Sequence, residues 1–417
     1  MARTLNVMAP QIFQKSVVRS LRTSTKFFNS SASNKFNFGK LLLKKTPIRT
    51  QPGCNGSCQR GSSVNGAILC LQVPCRHSST ATLPEGGEGQ LLPSSSPYTL
   101  ALPDLTNLFI DIKKALSGTS EELEEISCYY VDGQGKVMRP VITVLTARAV
   151  NEHVCKHHRL LSSQLEIAKV TEMIHTASLL HDDVLDMADT RRGKPSATQR
   201  YGQRKSVMAG NYMLSVALMM LGKLDNPEVT VVLSQVLTDL VQGEFMQLGS
   251  KEKEDERFSH YLDKSFKKTA SLIANSCQAV AILGGADKMV QQMCYQYGRN
   301  VGIAFQLVDD FLDFAASSNV VGKPTAVDLR LGMATAPVLF ACEKFPELIP
   351  MILRRFSEPG DVEFAMECVH RSDGLQQTKL LATQHCLHAI SMLQQLAPSQ
   401  EKLALIAITD RVINRIK

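Results

Sequence analysis

From about residue 98 to the end of the chain, apolar residues recur at intervals of three and four rather than two. Leu105, Leu108, Phe109 and Ile112 make the first such stripe, and Thr119 followed by Glu122 has the spacing of a capping box opening a second helix. The pattern predicts further helices over 205–221 and 229–248, with Met213, Met219, Met220 and Met246 expected as core filler. No run of alternating β-branched residues bounded by hairpin turns breaks it. The expectation is an all-α fold: one large single-domain helical bundle over 98–417. Because that length exceeds the usual single core, its helices should surround a deep apolar cavity. The most apolar segment, Thr269 to Gly285, is broken by Asn275 and Gln278, so no membrane-spanning helix is expected and any membrane contact is peripheral.

Composition separates the N-terminal stretch from this body. Residues 1–84 carry twelve Lys or Arg and no Asp or Glu, leaving 34 basic against 39 acidic residues in the rest, so the formal charge of +7 belongs to the leader. Arg-rich, Ser-rich and acid-free, with amphipathic pieces such as Ile12 to Arg19, residues 1–83 read as a disordered mitochondrial transit peptide. A basic arm for nucleic acid or anionic lipid is the other reading of that composition; the acidic balance of the body gives no reason to expect nucleic acid there. Residues 84–97, rich in Pro, Gly and Ser, read as a linker. The seven cysteines of the body are scattered singly, which predicts buried free thiols in a reducing compartment.

The chemistry concentrates in Glu172 to Gly193. An apolar helix carrying Ile174, Ala177, Ser178 and Leu179 ends in Asp182, Asp183 and Asp186, with Arg191 and Arg192 beyond. Asp182 and Asp186 fall one turn apart on one face, where like charges repel unless a cation joins them. A hard dication such as Mg²⁺ suits them, since it takes one or two carboxylates and fills its other positions with water and phosphate. A lone cluster of this kind also fits a solvated helix end. A second copy changes the balance: Gly302 to Asp313 repeats the design, with Asp309, Asp310 and Asp313 after an apolar helix. Upstream, Gly133 to Pro140 lacks the glycine spacing of a phosphate-binding P-loop, yet it brings Lys136 and Arg139 to a helix start that suits a diphosphate. Taken alone, His175 reads as a core histidine and Lys268 as a lysine reaching for water from an apolar run.

Together GKxxRP at 135–140, HDDxxD at 181–186 followed by RRG, KT at 268–269 and GxAFQxxDDxxD at 302–313 resemble the trans-isoprenyl diphosphate synthases over Tyr129 to about Pro337. The resemblance is strongest to the long-chain, mitochondrial decaprenyl type that builds the side chain of ubiquinone. It implies a Mg²⁺-dependent prenyltransferase in which Asp182, Asp186 and Asp309 hold the metal, supported by Asp183, Asp310, Asp313 and Asp328. It further implies that Arg191, Lys268, Thr269, Gln306 and Lys323 hold an allylic diphosphate, while Lys136, Arg139, His175 and Arg192 hold isopentenyl diphosphate. A dimeric unit is implied as well, either a hetero-oligomer with a second related subunit or a homodimer.

Ala177 and Ser178, five and four residues before Asp182, are small where an aromatic would floor the cavity, so a long product is expected over a geranylgeranyl-type one. The two acid motifs argue against a non-catalytic partner subunit, and the isopentenyl pocket argues against a terpene cyclase. One position departs from the family: Asn211 stands where Ala-Gly-Asp is usual, from which at most a reduced rate is expected.

Overall fold

The computed structural model describes residues 96–118, 120–133, 135, 137–248, 257–315 and 326–415. The leader, most of the linker, Thr119, Lys136 and Lys323 therefore lie outside the described residues. Within them the chain begins with α1 (Pro97–Leu105) and α2 (Leu108–Leu116), and the predicted stripe is buried through Leu105, Leu108 and Ile112. Next comes α3 (Glu121–Ser127), entered from Ser120 with three glutamates in its first turn, where the helix dipole favours negative charge. Then follow α4 (Met138–Cys155) and α5 (Ser162–Leu185).

A two-residue turn joins β1 (Thr190–Arg191) to β2 (Lys194–Pro195), an antiparallel pair too short for strand periodicity to reveal. Arg192 and Gly193 both take positive φ there, as such tight hairpins require. Short α6 (Ala197–Tyr201) leads to α7 (Gln203–Lys223) and α8 (Pro227–Leu248), close to the predicted bounds. After α9 (Arg257–Ser265) a π-helical turn, Phe266–Ala270, runs directly into α10 (Ser271–Leu283), followed by α11 (Lys288–Ala315). The remainder is α12 (Val327–Arg330), α13 (Ala336–Ala341), α14 (Leu348–Leu353), α15 (Asp361–Arg371), α16 (Gly374–Leu393) and α17 (Gln400–Asn414).

The most apolar segment of the sequence becomes the axis of the bundle. Helix α10 packs against α4, α5, α8 and α11, and its Leu272 to Cys277 are all buried, as a helix apolar on every side must be. Among the described residues no helix is long and apolar enough to cross a membrane. Close approach of α11 to α10 depends on glycine: a Cβ on Gly302 would lie 2.5 Å from the Ala270 Cα. That contact seats the second acid motif beside the π turn.

Helix α5 is fixed at both ends. At its start the Gln164 side chain accepts the Leu161 N–H at 3.0 Å and pairs with the buried Asn151 amide at 2.8 and 2.9 Å. At its end the Ala188 N–H reaches the Asp183 carbonyl at 3.1 Å across Met187, whose φ of 50° places a side chain where glycine is usual. Two expectations need correction. Met213 is buried, but Met219 is 58% exposed, on the side of α7 turned away from the core. Cys277, Cys294, Cys368 and Cys386 are buried free thiols, whereas Cys155, at the end of α4, is exposed.

Candidate active site

Each acid motif divides the same way. In the first, Asp183 is fully buried and both its oxygens are engaged: the Tyr130 hydroxyl donates to Oδ2, and Arg191 donates to Oδ1 from Nε at 2.8 Å and from the guanidinium end at 2.6 Å. The Tyr130 hydroxyl in turn accepts the Ala197 N–H at 2.8 Å. In the second, Asp310 is buried, with Oδ2 accepting from the Tyr261 hydroxyl at 2.5 Å and Oδ1 from Gln306 Nε2 at 2.8 Å. Thr269 Oγ1 donates to Gln306 Oε1 at 2.8 Å, tying the π turn to the motif. Such single π turns recur at functional sites.

The outer aspartates have other surroundings. Loss of solvent pushes Asp182 up to about 6, with Lys268 opposing and Glu244 and Asp186 reinforcing the shift. Asp186 is raised for the same first reason, and it too feels Lys268. Lys268 itself is held between Glu244 at 2.5 Å and Gln247 at 2.8 Å, both on α8. On α11, Asp309 pairs with Arg415 of the C-terminal segment at 2.7 Å, and Arg415 lies over the Phe305 ring. Asp313 accepts the N–H groups of Val327 and Asp328 at 3.1 and 3.2 Å, which fixes the start of α12. Burial, together with Asp310 and Asp313, raises Asp328 to about 7.

A cluster of Arg139, His175 and Arg192 lies beside the first motif. Arg139 on α4 approaches His175 Nε2 on α5 at 3.2 Å. Since guanidinium only donates, His175 accepts there and is neutral, in line with a pKa held well below its usual value by burial and by Arg139. Arg139 Nε is buried without a partner. Glu172, Asp309 and Arg192 all lie within electrostatic reach of Arg139, so this one residue connects the helix of the first motif with the second. Burial pushes Glu172 up to about 7 against the pull of Arg139 and Arg192. Arg192 lies along the loop before α4, where a Cβ on Gly135 would meet it at 2.9 Å. Asn211 is exposed on α7 and hydrogen-bonds His181.

Most of the residues singled out in the sequence therefore come together: Arg139, His175, Asp182, Asp186, Arg192, Lys268, Thr269, Gln306 and Asp309 gather around one end of the bundle. Arg191, expected at the allylic diphosphate, holds Asp183 through Nε and one terminal nitrogen. Tyr130, Glu172, Glu244, Tyr261 and Arg415 escaped the motif reading. The one signal for two of them was spacing, because Tyr130 and Tyr261 precede Lys136 and Lys268 by six and seven residues. Among the described residues no three Asp, Glu, His or Cys side chains converge into a protein-only metal site. The all-oxygen donors Asp182 and Asp186 fit a hard dication completed by water and phosphate, which needs only one or two carboxylates.

The model of the polyprenyl synthetase family matches residues 120–369, which span every one of these groups except Arg415. The chain is 54% identical over 323 residues to the all trans-polyprenyl-diphosphate synthase PDSS1 of Mus musculus, covering 78% of this chain and 79% of that one. It is 42% identical over 341 residues to decaprenyl-diphosphate synthase subunit 1 of Schizosaccharomyces pombe, covering 75% and 90%. The crystal structure of a polyprenyl synthase from Caulobacter crescentus, complexed with calcium and isoprenyl diphosphate, superposes with a TM-score of 0.68 at 28% identity, covering 77% and 97%. The chain belongs to the polyprenyl synthetase family and is a prenyltransferase.

Proposed function

We propose that this protein condenses isopentenyl diphosphate units onto an allylic diphosphate to give a long-chain polyprenyl diphosphate, of decaprenyl or solanesyl type, for the side chain of ubiquinone. The observation that carries the reading is Arg139: a half-buried cation whose Nε is buried and unpartnered, set beside His175 and within reach of Asp309. In this reading Arg139, His175 and Arg192, with Lys136, bind isopentenyl diphosphate. Arg191, Lys268, Thr269 and Gln306, with Lys323, bind the allylic diphosphate. Asp182, Asp186 and Asp309 hold Mg²⁺, which when bound supplies positive charge to the diphosphate oxygens as the allylic C–O bond breaks. Lys268 adds fixed charge on the same side, and the neutral His175 donates from Nδ1 without competing for the proton lost in restoring the alkene. Holding both substrates in one water-poor site favours attack by the double bond over capture by water.

Chain length is set in this reading along α5. Ala177 is fully buried one turn below Asp182, Ser178 donates to the His175 carbonyl at 2.8 Å, and Ile174 and Val170 are buried deeper. Small side chains at the top let a growing tail pass. Ala177→Phe is expected to shorten the product ladder sharply, read by chromatography of the dephosphorylated alcohols; an unchanged ladder ends the tunnel argument.

The chain acts in this reading inside mitochondria after removal of its acid-free leader, as the catalytic half of a heteromer with a second, related synthase chain. An uncharged surface supports such a partner. Every exposed position of α7 from Met208 to Gly222 and of α8 from Val231 to Phe245 lacks charge, and Met208, Leu218, Met219, Val231, Val241 and Phe245 are large apolar groups among them. The test is product analysis of residues 85–417 with labelled isopentenyl diphosphate, farnesyl diphosphate and Mg²⁺, with and without a candidate partner. Product only with the partner is the expected result. Long product from this chain alone replaces the heteromer with a self-sufficient enzyme, and no prenyl transfer under either condition refutes the substrate assignment.

A further inference from the structure

We propose that Tyr130 and Tyr261 are paired positioning residues for prenyl transfer, each fastening the middle aspartate of one acid motif so that the outer aspartates are presented to the cation and diphosphate. The inference rests on the reading that Asp182, Asp186 and Asp309 hold the metal. Its observation is a repeated arrangement between elements with no local relation. Tyr130 lies in the turn after α3 and Tyr261 in α9, and both are almost wholly buried, at 2% and 4% exposure. Each hydroxyl donates to the Oδ2 of a buried aspartate 53 or 49 residues further along the chain. Each also engages a second partner, the Ala197 N–H for Tyr130 and the Ser265 hydroxyl for Tyr261.

The geometry explains why the middle residue is the one to hold. Successive helical residues are rotated by about 100°, so Asp183 and its neighbour Asp182 face different ways, while Asp182 and Asp186 share a side. Locking Asp183 inward fixes the rotation of the end of α5 and turns Asp182 and Asp186 out; Asp310 does the same for Asp309 and Asp313. A buried carboxylate needs its oxygens satisfied, and among the described residues the Oδ2 of each middle aspartate accepts from a tyrosine. The same residues also tie cation to acid. Tyr130, a few residues before Arg139, is anchored to the first motif, and Tyr261 anchors the π turn carrying Lys268 and Thr269 against the second.

The test measures Mg²⁺-dependent binding of inorganic diphosphate by calorimetry, with thermal unfolding and steady-state kinetics, on full-length Tyr130→Phe, Tyr261→Phe and Asp182→Ala. Loss of one positioning hydroxyl is expected to weaken Mg²⁺-dependent diphosphate binding about ten-fold and to lower kcat, while the metal-free thermal midpoint falls by only a few degrees. Phenylalanine variants that lose thermal stability yet bind Mg²⁺ and diphosphate like the parent reduce the tyrosines to core packing and overturn the proposal. Unchanged binding in Asp182→Ala instead overturns the metal reading beneath it. Should a phenylalanine variant fail to fold, Asp183→Asn and Asp310→Asn keep the shape and weaken the same bond: reduced Mg²⁺-dependent binding supports the proposal, and parental binding refutes it.

Discussion

The two acid motifs carry the same letters in different states. At the first, the outer carboxylates of Asp182 and Asp186 sit at a helix end, raised by desolvation and opposed through space by Lys268 and Arg191. At the second, protein groups already occupy the outer carboxylates: Arg415 on Asp309, and the N-terminus of α12 on Asp313. The first motif is open and the second is closed over. A spacing of DDxxD therefore defines a ligand set without defining its readiness, which depends on segments far away in sequence, here the C-terminal Arg415 and the turn at 326–328.

The largest expected effect tests whether the motifs are equivalent despite this difference. Asp182→Ala and Asp309→Ala are each expected to cut kcat about 10²- to 10³-fold, the usual scale for removing one group that stabilises developing charge. Steady-state rates at saturating substrate check this. A variant at either position that keeps near-parental kcat breaks the pairing and leaves one motif as structure.

How far that pairing was legible follows from range. Helical periodicity along α2, α7 and α8 and the two acid repeats are local signals; they gave the fold class and pointed to the acid half of the candidate site. The apolar run from Thr269 foretold no membrane span, and it proved to be the buried axis. What stayed hidden is what acts across the chain. The Tyr130–Asp183 and Tyr261–Asp310 bonds join residues 53 and 49 apart, and Arg415 meets Asp309 across more than a hundred residues. Residue type misled as well: six helical residues put Met219 about 120° around α7 from Met213, so of these two methionines, both expected inside, only Met213 faces the core.

A middle-sized effect addresses the closure itself. Arg415 is partly exposed, and an exposed ion pair contributes at most about 1 kcal/mol. Arg415→Gln is thus expected to raise the affinity of the second motif for Mg²⁺ by no more than about five-fold, leaving the first unchanged. Calorimetric titration in an Asp182→Ala background isolates the second motif and checks it. Weaker binding in Arg415→Gln contradicts the view of Arg415 as a competitor for Asp309 and makes it a contributor to the bound state.

The smallest effect concerns the strain at the open motif. Met187 follows the last aspartate in the left-handed region, φ 50°, and its side chain is 74% exposed, so packing does little to offset the backbone cost. A side chain there costs about 1 kcal/mol relative to glycine, and the greater freedom of glycine in the unfolded chain returns part of that. Met187→Gly is accordingly expected to stabilise the metal-free protein by under about 1 kcal/mol, read as a slightly higher denaturant midpoint with unchanged slope. If the strain serves only to terminate α5, activity stays the same. A gain in stability accompanied by weaker Mg²⁺-dependent diphosphate binding shows instead that the strained turn helps aim Asp186, and that the open motif is held ready by its backbone as well as by Tyr130.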